Sequence, residues 1–211
     1  MLPEVALRVE TMFYATFCAL AALVGALPLG AETPITPPLT VILDFKQAES
    51  NLVVEEMKRA TEELLSGSGV QLTWRMRSEI GSETFAELVL VTFRGTCSID
   101  AATPRTAVSG PLASVHVVDD RVLPFADVYC DQVASVTRAA MTRADLWNAD
   151  QEMGRALAKV LAHELMHMIT KSAVHGAAGV AKAALSGRQL LDQGTTMEPD
   201  DLDRIREEAF R

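Results

Sequence analysis

Residues 162–169 read Ala162-His163-Glu164-Leu165-Met166-His167-Met168-Ile169, and this stretch decides the fold. It contains the pattern His-Glu-x-x-His, which is typical of a zinc site carried by an α-helix. On a helix, His163 and His167 lie one turn apart on the same face, so two imidazoles can bind one ion. A third histidine, His175, follows His167 by eight residues. The pattern predicts one zinc ion bound by His163, His167 and His175.

Glu164 directly follows the first of these histidines. On a helix its side chain projects about a quarter turn away from theirs, near enough to reach a water on the metal. Zinc with three protein ligands keeps a fourth position for water and lowers that water's pKa to about 7. Glu164 is therefore predicted to be the general base, while the zinc polarises a peptide carbonyl. This chemistry hydrolyses a peptide bond without a covalent intermediate.

The residues before the motif predict a long helix that becomes buried near the histidines. Apolar residues recur there at helical spacing, and polar residues share the opposite side. The apolar positions are Leu157, Val160, Leu161, Leu165 and Met168, and the polar ones are Glu152, Arg155 and Lys159. The polar side turns apolar at Ala162 and Met166, and the helix is expected to end near Thr170 or Ser172. A helix buried in this way is expected at the centre of an active site.

The N-terminal 38 residues predict an export signal and a linker. Residues 12–30 are apolar, and Leu29-Gly30-Ala31 offers small residues for cleavage before Glu32. We therefore expect a signal peptide over residues 1–31, a proline-rich linker over 32–38 and one domain over 39–211, which gives a secreted or periplasmic protein. The alternative is an uncleaved membrane anchor, since the apolar stretch is barely long enough to span a bilayer.

Charge and cysteine content restrict the partners and the compartment. The net charge is −9 and there is no run of basic residues, so we expect no nucleic-acid partner, and membrane contact only through the N-terminal segment. Cys97 and Cys130 follow the predicted signal peptide. In an oxidising compartment they form one disulfide, and the alternative is two buried free thiols.

Patterning along the chain predicts an α+β domain with four to five strands. The expected strands cover 39–45, 70–76, 85–93, 113–118 and 126–136, the third being covered on both faces. A helix after Ser50 ends at Gly67 or Gly69, and a capping box at Ser186 and Gln189 starts a short one. A final helix begins near Pro199. Residues 95–111 form a long loop, and His116 is interpreted as an ordinary strand residue.

This order of elements resembles the zincin fold of metallopeptidases and, more narrowly, the metzincins. The resemblance implies a mixed sheet with a backing helix, a central metal helix and a small helical C-terminal part. It also implies that peptide substrate lies antiparallel to an edge strand, that His163, His167 and His175 bind zinc, and that Glu164 is the general base. Met197 would belong to a tight turn below the metal.

Two departures from the metzincin motif leave alternatives open. The family has glycine three residues after the second histidine and its third ligand six residues after, whereas this chain has Thr170 and His175. The third ligand could therefore be a downstream carboxylate, and the candidates are Asp192, Glu198 and Asp201. Met197 could equally be a plain core residue.

The sequence therefore predicts a secreted zinc metallopeptidase, of the endopeptidase class, acting on peptides or proteins. No Tyr, Trp or His follows His175, so the aromatic group that often steadies the tetrahedral intermediate in this family is missing. The first competing hypothesis is a non-catalytic, exported zinc-binding domain of the same fold. The second is a metal-free structural module.

Overall fold

The computed structural model describes residues 38–209, and the predicted signal peptide, anchor and cleavage site lie outside them. Five strands and five helices follow one another along this part of the chain. The strands are β1 (Leu39–Phe45), β2 (Leu72–Met76), β3 (Leu88–Arg94), β4 (Ala113–Val118) and β5 (Arg121–Tyr129). The helices are α1 (Asn51–Leu65), α2 (Cys130–Ala140), α3 (Ala149–Thr170), α4 (Gly187–Leu191) and α5 (Pro199–Ala209). Over residues 38–209 none of the helices has the length and apolar character needed to cross a membrane.

The five described strands form one mixed sheet in the order β2-β1-β3-β5-β4. β1 pairs in parallel with β2 and β3, and β3 pairs in parallel with β5. Of these five strands, β4 alone runs antiparallel to its neighbour, β5, and it forms one edge of the sheet. The predicted α+β class, mixed sheet and strand number are confirmed.

One face of the sheet packs against the helices. Leu43, Val91 and Ala126 lie side by side in the register of β1, β3 and β5, and all three are buried. They share one apolar core with Leu157, Leu161 and other residues of α3. Burial in β3 alternates along the strand, so the expectation that it is covered on both faces was wrong.

Helices α1 and α3 approach each other closely at Gly154. A Cβ atom at this position would lie 2.9 Å from the Val53 carbonyl oxygen and 2.7 Å from the Glu56 Cβ. The Ser50 hydroxyl, at the N-cap position of α1, donates to the Asp150 carboxylate at 2.9 Å instead of capping its own helix. These contacts fix α3 against α1 at the end remote from the histidines.

The predicted strand over residues 126–136 was wrong in its second half, because α2 begins at Cys130. The buried residues of α2 are Cys130, Val133, Ala134, Ser135 and Thr137, which recur at helical spacing. Valine-rich stretches suit a strand as well as a buried helix face, so the short run could not distinguish the two.

The long loop between β3 and β4 is fastened to α2 by a disulfide and by hydrogen bonds. Cys97 in the loop forms a disulfide with Cys130, the first residue of α2. Farther along the loop, the Ser135 hydroxyl donates to the Thr106 carbonyl and accepts from the Val108 N–H, both at 3.1 Å. The loop that leads into edge strand β4 therefore has a defined position against a helix.

We expect removal of this disulfide, by Cys97→Ser with Cys130→Ser, to lower the free energy of unfolding by between about 3 and 4 kcal/mol. The two cysteines are 33 residues apart, and the entropy of closing a loop of this length in the unfolded chain has that magnitude. Urea denaturation of the double variant and the oxidised wild type measures the difference. An unchanged unfolding midpoint would show that the disulfide does not constrain the unfolded chain.

Candidate metal centre

Helix α3 brings His163 and His167 together on one face. The two rings have centroids 4.7 Å apart, and their Nε2 atoms are separated by 3.0 Å. His167 is buried, with 3% of its surface exposed, and His163 is half-buried. The predicted helical spacing therefore produces two imidazoles that face a common point.

Backbone carbonyls set the protonation of both rings. His163 Nδ1 lies 2.8 Å from the Val180 carbonyl oxygen, and His167 Nδ1 lies 2.7 Å from the Ser172 carbonyl oxygen. A carbonyl oxygen only accepts hydrogen bonds, so each Nδ1 carries the proton of its neutral ring. Both Nε2 atoms then present lone pairs to each other with no hydrogen between them. This arrangement fits a cation.

Burial keeps His163 and His167 neutral. Burial lowers the pKa of His167 to about 4, although its hydrogen bond to Ser172 acts in the opposite direction. Burial also lowers the pKa of His163. Neutral imidazole is the form that binds a metal ion, so neither ring must lose a proton at neutral pH before it binds.

His175 completes a group of three rings. Its ring centroid lies 5.2 Å from that of His163 and 4.8 Å from that of His167. One ligand atom from each of the three histidines falls within 4.8 Å of the others. Two nitrogen ligands of a tetrahedral zinc ion lie about 3.3 Å apart. A small movement of the exposed His175 would bring the three nitrogens to that spacing, so the donor set fits zinc.

The turn after α3 accounts for one of the two extra residues before the third histidine. Thr170, at the family's glycine position, is still helical, and its hydroxyl donates to the Met166 carbonyl. The left-handed residue is Lys171, with φ 49° and ψ 33°. The N–H groups of Lys171 and Ser172 both donate to the His167 carbonyl, which ends the helix. The chain therefore turns one residue later than in the family motif.

We expect Lys171→Gly to raise the free energy of unfolding by about 1 kcal/mol. A left-handed conformation costs a residue with a Cβ atom roughly 1–2 kcal/mol, and glycine adopts it readily, although glycine also gains freedom in the unfolded chain. Chemical denaturation measures the change, and Lys171→Ala serves as the control because it removes the side chain and keeps the Cβ atom. Destabilisation by glycine would contradict the left-handed turn.

A second segment, around Thr196, holds the backbone that contacts His163. Gly179 has φ +60°, and a Cβ atom there would lie 2.3 Å from the Thr196 carbonyl oxygen. That carbonyl accepts the N–H of Val180 at 2.9 Å, and Val180 in turn holds His163. Met197 follows Thr196 in the chain, between α4 and α5, and it is buried with 4% of its surface exposed. Its assignment to a turn below the metal stays a prediction.

Glu164 lies beside the histidines with 6% of its surface exposed. Burial raises the pKa of its carboxyl group to about 7, and a hydrogen bond from the backbone of Val115 acts in the opposite direction. Val115 belongs to edge strand β4. The predicted general base is therefore held between α3 and the edge of the sheet.

A cleft of about 390 Å³ passes over these residues. Its lining comes from the chain entering and forming β4, from α2 and α3, and from the chain after α3. The lining comprises Gly110 to Val115, Val136, Val160, His163, Glu164, His167, Ala173, His175 and Lys182 to Leu185. Lys182 is the only lysine or arginine among these lining residues, and no sequence pattern had indicated it.

The other candidate ligands do not join this group in the described part of the chain. His116, on β4, pairs with Asp127 on β5, with 3.0 Å between Nε2 and Oδ2. Asp192 accepts hydrogen bonds from Gly194 and Thr195, and Asp201 pairs with Arg204. Over residues 38–209, His163, His167 and His175 are the only grouping of three possible ligands. The carboxylate alternatives for the third ligand are therefore not supported.

Comparison with known proteins finds likeness only in the fold. No protein-family model matches the sequence, and no curated protein matches it. The solved structure of archaemetzincin from Methanopyrus kandleri is similar, with a TM-score of 0.52 and 12% identity over 85% of this chain and 99% of that one. The resemblance to the metzincin fold is thereby confirmed, and the three histidines fit the extended motif with a third histidine.

Proposed function

We propose that this protein is a secreted zinc peptidase in which Glu164 is the general base. The observation that carries the proposal is the convergence of three imidazoles beside a buried carboxylate, in a cleft bounded by an edge strand. The metzincin-like fold supports the same interpretation at the level of architecture.

Different residues of this chain would bind the metal, orient its ligands and transfer the proton. His163, His167 and His175 would hold the zinc, and the carbonyls of Val180 and Ser172 orient the first two rings. Bound zinc supplies an acidified water and polarises the substrate carbonyl. The Glu164 carboxylate accepts a proton from the attacking water and returns it to the leaving amine.

Edge strand β4 offers the substrate a place to bind. Its outer side has no partner strand among residues 38–209, so N–H and C=O groups of that side other than the Val115 N–H can pair with an extended peptide. Val115 lies on this strand and also holds Glu164. A peptide added to β4 would therefore pass close to the general base.

Export is the second part of the proposal. The disulfide between Cys97 and Cys130 supports it, because such bonds persist in oxidising compartments. Expression in a bacterial host with fractionation, followed by N-terminal sequencing, tests it. A new N-terminus at Glu32 in the exported fraction is expected, and retention of the full chain in the membrane would favour the anchor instead.

The test of activity is a broad peptide library incubated with zinc-loaded protein, with products identified by mass spectrometry. We expect cleavage at internal bonds that stops when a chelator is added and resumes with zinc. The competing function is a non-catalytic zinc-binding domain, which the absence of tyrosine from the described cleft lining favours. Bound zinc without turnover of any library member would establish that alternative.

A further inference from the structure

Lys182 differs from the other unpaired lysines and arginines of residues 38–209 because it lines the cleft. Within residues 38–209 its ammonium group forms no ion pair and no hydrogen bond. The side chain is half-buried and lines the cleft. Arg188, by contrast, also lacks a partner in this part of the chain but is exposed and outside the lining.

The backbone on the N-terminal side of Lys182 is anchored to the metal centre. Two residues earlier, the Val180 carbonyl accepts a hydrogen bond from His163. The carbonyl of buried Ala181 accepts the Gly176 N–H at 2.8 Å. The position of Lys182 along the cleft wall is therefore fixed by the same contacts that orient a predicted ligand.

The surroundings of Lys182 suit a substrate side chain. Ala183, Ala184 and Leu185 continue the same wall, and Val136 and Val160 add apolar surface. An arriving carboxylate would form a charge-assisted hydrogen bond with the unpaired Lys182 ammonium. The apolar wall suits the methylene groups that carry such a carboxylate.

The net charge of −9 does not oppose this recognition at short range. At physiological ionic strength, exposed charges act over a Debye length of about 8 Å, so acidic groups on the outer surface are largely screened. Glu164 is the only carboxylate among the described lining residues, and the zinc proposed beside it adds positive charge. The local field in the cleft would therefore favour an anionic group.

We propose that Lys182 binds a carboxylate of the substrate and so determines specificity. This inference rests on the proposed peptidase function. The carboxylate comes either from an acidic side chain next to the scissile bond or from the C-terminus of a short peptide. Both sources present the same chemistry to Lys182, and matched peptides distinguish them.

The experiment takes a peptide cleaved in the library and compares versions that differ only in Glu or Gln at each position flanking the scissile bond. A second pair carries a free or an amidated C-terminus. We expect the acidic version of one pair to have a kcat/KM about tenfold higher in the wild type, as one charge-assisted hydrogen bond provides. The pair that shows the ratio identifies the source of the carboxylate.

Three variants assign the preference to Lys182. Lys182→Met keeps the length and apolar stem of the side chain, and the ratio should fall to about one because the neutral substrate is unaffected. Lys182→Glu should reverse the preference towards the neutral peptide. Arg188→Met is the matched control, because it removes a neighbouring cation from outside the cleft, and it should keep the wild-type ratio.

Two outcomes would overturn the proposal. A wild-type ratio near one for every pair would show that no carboxylate is recognised. An equal loss for acidic and neutral peptides in Lys182→Met would assign the lysine to the reacting carbonyl or to structure instead.

A binding measurement separates this inference from the proposed function. Fluorescence anisotropy measures the binding of labelled hexapeptides to two zinc-loaded proteins. The peptides carry Glu or Gln and have a free or an amidated C-terminus. One is the Glu164→Gln variant, and the other combines Glu164→Gln with Lys182→Met. A preference for acidic peptides that depends on Lys182 supports carboxylate recognition even if the wild type cleaves nothing. Cleavage without such a preference leaves the peptidase proposal intact and removes this one.

Discussion

Replacing Glu164 with glutamine is expected to lower kcat/KM for peptide hydrolysis by about 10²–10⁴-fold, the usual contribution of a general base. The carboxylate is buried beside the histidines and accepts a hydrogen bond from the backbone of Val115. Glutamine has the same size and keeps an oxygen that can accept that bond, but it cannot take a proton from water at neutral pH. Turnover of the best library peptide measures the loss.

Zinc content must accompany this measurement, because an inactive variant without metal would not test the role of Glu164. We expect one zinc per chain in Glu164→Gln, as in the wild type. Glu152→Gln is the matched control, since it removes a carboxylate from the same helix at a site where the partner is Arg155. Full zinc with unchanged hydrolysis in Glu164→Gln would contradict the assigned role.

Zinc removal is expected to lower the free energy of unfolding by at least about 4 kcal/mol, when the free zinc concentration exceeds the Kd a thousandfold. In the folded chain the Nε2 atoms of His163 and His167 lie 3.0 Å apart, and the imidazole of His175 lies beside them. The unfolded chain has no such site, so the metal binds the folded state preferentially. Denaturant titration with zinc, and with a chelator, measures the difference.

The fourth histidine supplies the control for this prediction. His116→Ala removes an imidazole that pairs with Asp127 outside the cluster, so it should keep the full effect of zinc on stability. His167→Ala removes the most buried member of the cluster and should abolish the effect. An equal zinc effect in both variants would place the metal elsewhere.

The sequence predicted those features in which local pattern and tertiary structure agree. The apolar periodicity of α3, with its histidines four residues apart, requires only helical geometry, so the position of the metal helix and its end at Thr170 were predicted correctly. The capping box at Ser186 and Gln189 is likewise a local motif, and it starts α4. Strands β1 and β4 have the predicted bounds.

Features that depend on distant contacts were not predictable. Residues 130–137 fit a strand or a buried helix, and only packing against the core makes them α2. His163 and His167 are held by backbone carbonyls, and every residue type has a backbone carbonyl, so the sequence cannot indicate which ones make these contacts. Lys171 adopts a conformation that a lysine rarely adopts, and the place of Lys182 in the cleft lining depends on how distant segments pack.

The most direct test of the metal centre is the zinc content of purified wild type and His175→Ala, measured together with zinc affinity. Removing a residue that hydrogen-bonds to a metal ligand lowers the metal affinity by about 10–100-fold. Removing a ligand itself should therefore lower the zinc affinity by more than about a hundredfold. We predict one tightly bound zinc per wild-type chain and loss of that zinc on dialysis of His175→Ala. A wild type without stoichiometric zinc, or a variant that binds it with unchanged affinity, would contradict the three-histidine centre.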